Sequence, residues 1–102
     1  MNIHRLNAAE IEAGLKTLQN WEFNATASCL TKEWQFKNFK TAIAMLNKVS
    51  DLAESQNHHP EMLSAYKRIC VKLWTHDVQG LTHKDFELAQ AIDSMVAQEF
   101  SV

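Results

Sequence analysis

The side chains best suited to chemistry in this chain are histidines. Five occur, and three of them, His58, His59 and His76, stand where a proton could be both given and taken. An imidazole titrates at about 6.5 when unperturbed, so near neutrality it serves as acid or as base. His58 and His59 precede Pro60, in a loop that the proline stiffens, and His76 closes the strand-like segment that follows. If that loop packs beside the strand end, three imidazoles converge on one cleft and make a proton-transfer site.

Two other readings compete for the same residues. Loop histidines are often only solvated, and histidine is also a metal ligand. Against a metal, adjacent histidines in an extended loop point in opposite directions, and no Cys or Asp completes a four-ligand set at a usual spacing. We therefore expect no metal. The chain has no Gly-rich phosphate loop, no Gly-x-Ser-x-Gly elbow and no cysteine placed as a nucleophile, which leaves acid–base chemistry. His4, near the N-terminus, and His83, in the first turn of a predicted helix, are read as surface bystanders.

The elements that must position these residues follow from periodicity. Asn7 and Glu10 form a capping-box pattern ahead of Ile11, Leu15 and Leu18, which predicts a first helix ending near Asn20. An extended stretch from Trp21 to Phe23 and an alternating one from Leu30 to Phe36 are separated by Asn24 to Ser28. This predicts two antiparallel neighbours. Phe39, Ala42, Ile43, Leu46, Val49 and Ala53 make one stripe of a helix from about Asn38 to Glu54, which must stop before Pro60. Strand periodicity resumes from Ser64 to Thr75, with Ile69, Val71 and Leu73 on one face and His76 at the end. Thr82 and Asp85 cap a last helix through Leu88, Ala89, Ile92, Met95 and Val96; here Asp85 is read as a cap residue.

A chain of 102 residues with 46% apolar and 22% charged content, two glycines and one proline has the make-up of one folded domain, taken as 1–102. A net charge of −2 offers no basic field for nucleic acid. No apolar run is long enough to span a bilayer and the N-terminus lacks the apolar core of a secretion signal, so we expect no membrane partner and a cytoplasmic location. Cys29 and Cys70 are read as reduced packing residues. The class is α+β, with antiparallel strands covered by helices on one side.

The run Glu54-Ser-Gln-Asn57-His58-His59-Pro60-Glu61, then Tyr66, Val71 to His76, Gly80-Leu81-Thr82 and Asp85, closely resembles the signature of the pterin-4a-carbinolamine dehydratases. The likeness extends to Trp21 and to Phe36-Lys37-Asn38-Phe39, so it covers nearly the whole chain. It implies a four-stranded antiparallel sheet with three helices on one face, assembled as a homodimer or homotetramer. The residues alone suggest three strands; a fourth arises if Met62 to Thr75 breaks between Tyr66 and Ile69.

The resemblance also implies a reaction: dehydration of 4a-hydroxytetrahydropterin to quinonoid dihydropterin, which recycles the pterin of aromatic amino-acid hydroxylases and uses no metal or organic cofactor. In that pattern His58 and His76 exchange protons at the 4a-hydroxyl while His59 holds and polarises the ring. Glu54 is placed to orient a histidine or favour its charged form, and Asn57 and Thr75 are candidates to bond the pterin edge. The chain departs from the family in carrying Met62 and Leu63 where aromatics commonly follow His-His-Pro, a change that would weaken stacking on the pterin. The alternative on the same fold is a non-catalytic dimerisation or coactivator-type binding protein. It would need an apolar surface, for which the last helix is the candidate.

Overall fold

Capping sets where the helices begin. In the computed structural model, which describes residues 3–100, the Asn7 side chain accepts from the Glu10 amide and Glu10 accepts from the Asn7 amide, starting α1 at Ala8–Leu15. Asn38 accepts from the Thr41 amide and opens α2, Phe39–Gln56. Thr82 and Asp85 form the second reciprocal capping box, at the start of α3, His83–Glu99. Positions 1, 2, 101 and 102 of the domain expected over 1–102 lie outside the described residues.

The strands are β1 (Glu22–Asn24), β2 (Cys29–Gln35), β3 (Glu61–Ala65) and β4 (Arg68–Leu73). They form one antiparallel sheet in the order β1-β2-β4-β3. The β1/β2 hairpin is as the alternation predicts. The single strand read from Ser64 to Thr75 is instead two strands joined by Tyr66 and Lys67, which supplies the fourth strand. Tyr66 turns the chain with φ 58°, a conformation usually signalled by Gly or Asn. With neither present, only the change of parity between Tyr66 and Ile69 marks the turn, and the break expected there is the one found.

Register explains the core. Leu30 pairs with Leu73 and Trp34 with Ile69, so these side chains share a face with Val71, and all are buried. Met45 and Val49 of α2 and Leu88, Ile92 and Val96 of α3 close over that face, and Ile11 of α1 joins the same cluster. Gly14 lets α1 approach α3: a Cβ there would stand 2.6 Å from the Phe86 ring. Lys32 falls on the covered face too, where its ammonium meets Asp93 Oδ1 at 2.9 Å, and the Trp21 indole donates to the same oxygen. No helix among the described residues is long and apolar enough to cross a membrane.

Both cysteines are free. Burial pushes the Cys29 thiol above its ordinary range, so it is held in the unreactive protonated form.

Candidate active site

The end of α2 builds the loop that carries the histidine pair. Asn57 adopts the left-handed conformation (φ 50°, ψ 43°), its amide donates to the Glu54 carbonyl at 3.2 Å, and the His58 amide donates to the Ala53 carbonyl at 3.0 Å. This paired closure satisfies the last carbonyls of the helix and reverses the chain. It also fixes the backbone of His58 directly to a helix end, before Pro60 leads into β3.

From that anchor the two imidazoles diverge. His58 turns inward and is 8% exposed; its Nε2 stands 2.6 Å from Oδ1 of Asp85, which is fully buried. His59 turns outward and back over the helix it has just left, where Nε2 meets Glu54 Oε1 at 2.8 Å. Glu54 thus does contact a histidine, and the contact lies in solvent.

The third imidazole arrives from β4. The expected strand end at His76 falls earlier: β4 stops at Leu73, Thr75 forms an isolated bridge with Gly80, and His76 opens a single 3-10 turn, His76–Val78. The Trp74 ring lies 4.7 Å from the His76 ring, tilted by 51°. A cleft of about 260 Å³ is lined by Asn57, His58, His59, Thr75, His76 and Lys84, together with Ile3 and Asp77. The three histidines therefore line one cavity. Two other clefts, around Lys32 and Asp93 and around Trp21 and Phe23, contain no histidine. Among the described residues no group of three or more His, Cys, Asp and Glu side chains is arranged to hold a metal ion.

Beneath the cleft floor lies a polar cluster that the sequence did not disclose. Asp85 is both the cap residue predicted and the partner of His58, 27 residues away in sequence. Its Oδ2 accepts from the Thr82 amide at 2.9 Å and from the Thr75 hydroxyl at 2.8 Å, and the Thr75 and Thr82 hydroxyls lie 2.8 Å apart. The hydroxyl of Thr75 is thus engaged inside the protein. Thr-x-x-Asp spacing announces a helix cap and carries no sign of a distant histidine. Lys84, in the first turn of α3, was likewise unmarked. Met62 and Leu63 do not line the cleft: Met62 packs on the core side of the sheet, and Leu63 lies on the open face. Among the described residues the large exposed apolar side chains are Phe39, Leu63 and Tyr66. The apolar surface proposed for α3 is therefore not there, because its large apolar side chains are taken up by the core.

Fold and cleft together define a class, a small α+β domain whose four-stranded sheet and last two helices frame three histidines. A family model described as pterin 4 alpha carbinolamine dehydratase matches residues 4–95, and the chain belongs to that family. A protein of Aquifex aeolicus (strain VF5), named as a candidate pterin-4-alpha-carbinolamine dehydratase, is 38% identical over 96 residues, covering 94% of this chain and 95% of its own. The crystal structure of a transcriptional coactivator/pterin dehydratase from Brucella melitensis superposes with a TM-score of 0.86 at 32% identity, over 90% of this chain and 98% of that one. A pterin dehydratase-like protein identified as a RuBisCO assembly factor in the alpha-carboxysome shares the fold alone, at 16% identity and a TM-score of 0.65 over 78% of this chain and 92% of that one.

Proposed function

We propose that this protein dehydrates a 4a-hydroxytetrahydropterin to the quinonoid dihydropterin by histidine acid–base catalysis. The observation that carries the reading is the single cleft lined by His58, His59 and His76 in a chain of this family. The C4a–O bond breaks with its electron pair going to oxygen, which takes a proton from an imidazolium and leaves as water. A second imidazole takes the proton from the ring nitrogen beside C4a, and that N–H electron pair becomes the new C=N bond. Water is the only thing lost, so neither an oxidant nor a metal is required.

His58 and His76 are the proton-exchanging groups in this reading, and His59, backed by Glu54, holds and polarises the ring. Asn57 and Thr75 border the pterin edge, and Lys84 adds a cation at the rim. The protein works in the cytoplasm as a homo-oligomer, recycling tetrahydrobiopterin-type cofactor for an aromatic amino-acid hydroxylase. Stopped-flow measurement of carbinolamine decay tests the chemistry: the protein accelerates it, and His58→Ala and His76→Ala each slow turnover about a hundredfold. Equal decay with and without protein, or full activity in both variants, defeats the proposal.

A further inference from the structure

Hydrogen-bond donors around Asp85 can be assigned almost without choice. The Thr82 amide can only donate, so Oδ2 accepts it. The Thr75 hydroxyl gives its one proton to the same oxygen. In the 2.8 Å contact between the two hydroxyls, Thr82 must then be the donor, and its own lone pair accepts the Lys84 amide at 3.2 Å. Every proton in the chain Lys84, Thr82, Thr75 points toward Asp85. With both donors at Oδ2 pointing inward, an ionised Asp85 can only accept in the 2.6 Å contact at Oδ1, from a proton on His58 Nε2.

From this we infer that Thr75 and Thr82 are positioning residues: acting through Asp85, they hold His58 as the Nε2–H tautomer and leave Nδ1 as a lone pair for the cleft. The exposure of Nδ1 follows from satisfaction. Among the described residues no buried side-chain nitrogen or oxygen lacks a partner and none bonds to His58 Nδ1, which places that atom at open space. Since His58 lines the cleft, the open space is the cleft. Resting on the dehydratase reading, this makes His58 the base, whose positive charge on protonation falls beside a carboxylate that is already in place. The complementary proton donor is then His76. Thr75 then borders the pterin edge without bonding it through its hydroxyl, which is given to Asp85 and sets the tautomer from behind.

The test is nuclear magnetic resonance of the imidazole nitrogens of 15N-labelled full-length protein, without substrate. Wild-type His58 shows a protonated Nε2 and an unprotonated Nδ1. Thr75→Val, close to isosteric, mixes the two tautomers and lowers kcat roughly tenfold with KM nearly unchanged, while Thr75→Ser restores both. In Asp85→Asn the amide oxygen stays toward the threonines and the NH2 faces His58, so the tautomer inverts to Nδ1–H and kcat falls further. Protonated Nδ1 in the wild type, or an unaltered His58 spectrum in Thr75→Val, overturns the inference. Should Thr75→Val fail to fold, the wild-type tautomer and Thr75→Ser still decide it. The expected tautomers in a protein that does not speed dehydration would sink the enzymatic reading and leave the relay standing.

Discussion

His59 Nε2 and Glu54 Oε1 meet at 2.8 Å in solvent, their side chains 58% and 75% exposed, one residue away from an imidazole that is sealed against Asp85. The exposed pair should behave as surface ion pairs do, contributing between nothing and about 1 kcal/mol. Glu54→Gln is therefore expected to leave the thermal midpoint within about 2 °C of wild type. Its effect belongs to the substrate: KM rises several-fold and kcat changes little, because orientation of His59 is lost. A comparable fall in kcat at constant KM would show that Glu54 acts on the reacting groups instead.

The contrast between those two histidines marks how far sequence reasoning reaches. Caps and periodic stripes are local, so the three helices, the β1/β2 hairpin and the loop before Pro60 were legible from Asn7, Thr82 and the apolar spacing. The break at Tyr66 was only partly legible: the change of parity before Ile69 permits it, but the positive φ falls on a residue type that does not advertise a turn. The His-His-Pro run and His76, picked out by type and spacing, line one cleft. Nothing local could show that Asp85 serves two masters, since its partner His58 lies 27 residues away, with the whole of β3 and β4 between them.

Asn57 provides a sharp test of what that loop requires. Its left-handed backbone, φ 50°, is tolerated by Asn and is free for Gly, but costs about 1–2 kcal/mol for most other residues. Asn57→Gly should retain or slightly raise stability, and Asn57→Val should lower it by about 1–2 kcal/mol in urea denaturation. If Asn57 also bonds the pterin, Asn57→Gly raises KM in a protein of unimpaired stability, which separates the two roles.

Packing of α1 depends on Gly14. Replacing glycine by alanine within a helix ordinarily gains about 0.5–1 kcal/mol. Here the new methyl would lie 2.6 Å from the Phe86 ring, which is itself buried in the core. Gly14→Ala is expected to destabilise by about 1–3 kcal/mol, and Phe86→Leu in the same chain to recover part of the loss. A stabilised Gly14→Ala protein would show that α1 does not sit this close to α3.

Acid should loosen α1 before the rest. The Asn7 amide, followed by the His4 side chain, holds the Glu10 carboxyl below its ordinary value of 4.5. A depressed folded-state value means that the contribution is complete above pH 4.5 and is lost as pH falls through the folded value. Protection of the Asn7 amide, its exchange rate relative to that of an unstructured peptide at the same pH, should therefore fall on acidification through that window, while protection in α2 is kept. Glu10→Gln keeps a capping oxygen without the charge and should abolish the pH dependence.

Asp85 should be far more costly to remove than a helix cap. An ordinary cap residue contributes about 1 kcal/mol, and its loss exposes one amide to water. Truncation at Asp85 would strip the acceptor from the Thr82 amide, the Thr75 hydroxyl and His58 Nε2 together, at a position where Asp85 and Thr82 are 0% exposed and water cannot substitute. Leaving several buried donors unpaired costs about 3–5 kcal/mol, enough to consume much of the stability of a domain this size. Asp85→Ala should show that loss in urea denaturation at neutral pH, and Asp85→Ala combined with Thr75→Val and His58→Leu should recover part of it, because two of the stranded donors are then gone. A loss near 1 kcal/mol with no recovery in the triple variant would mean that the carboxylate merely caps α3, and that the cleft floor is not a single hydrogen-bonded unit.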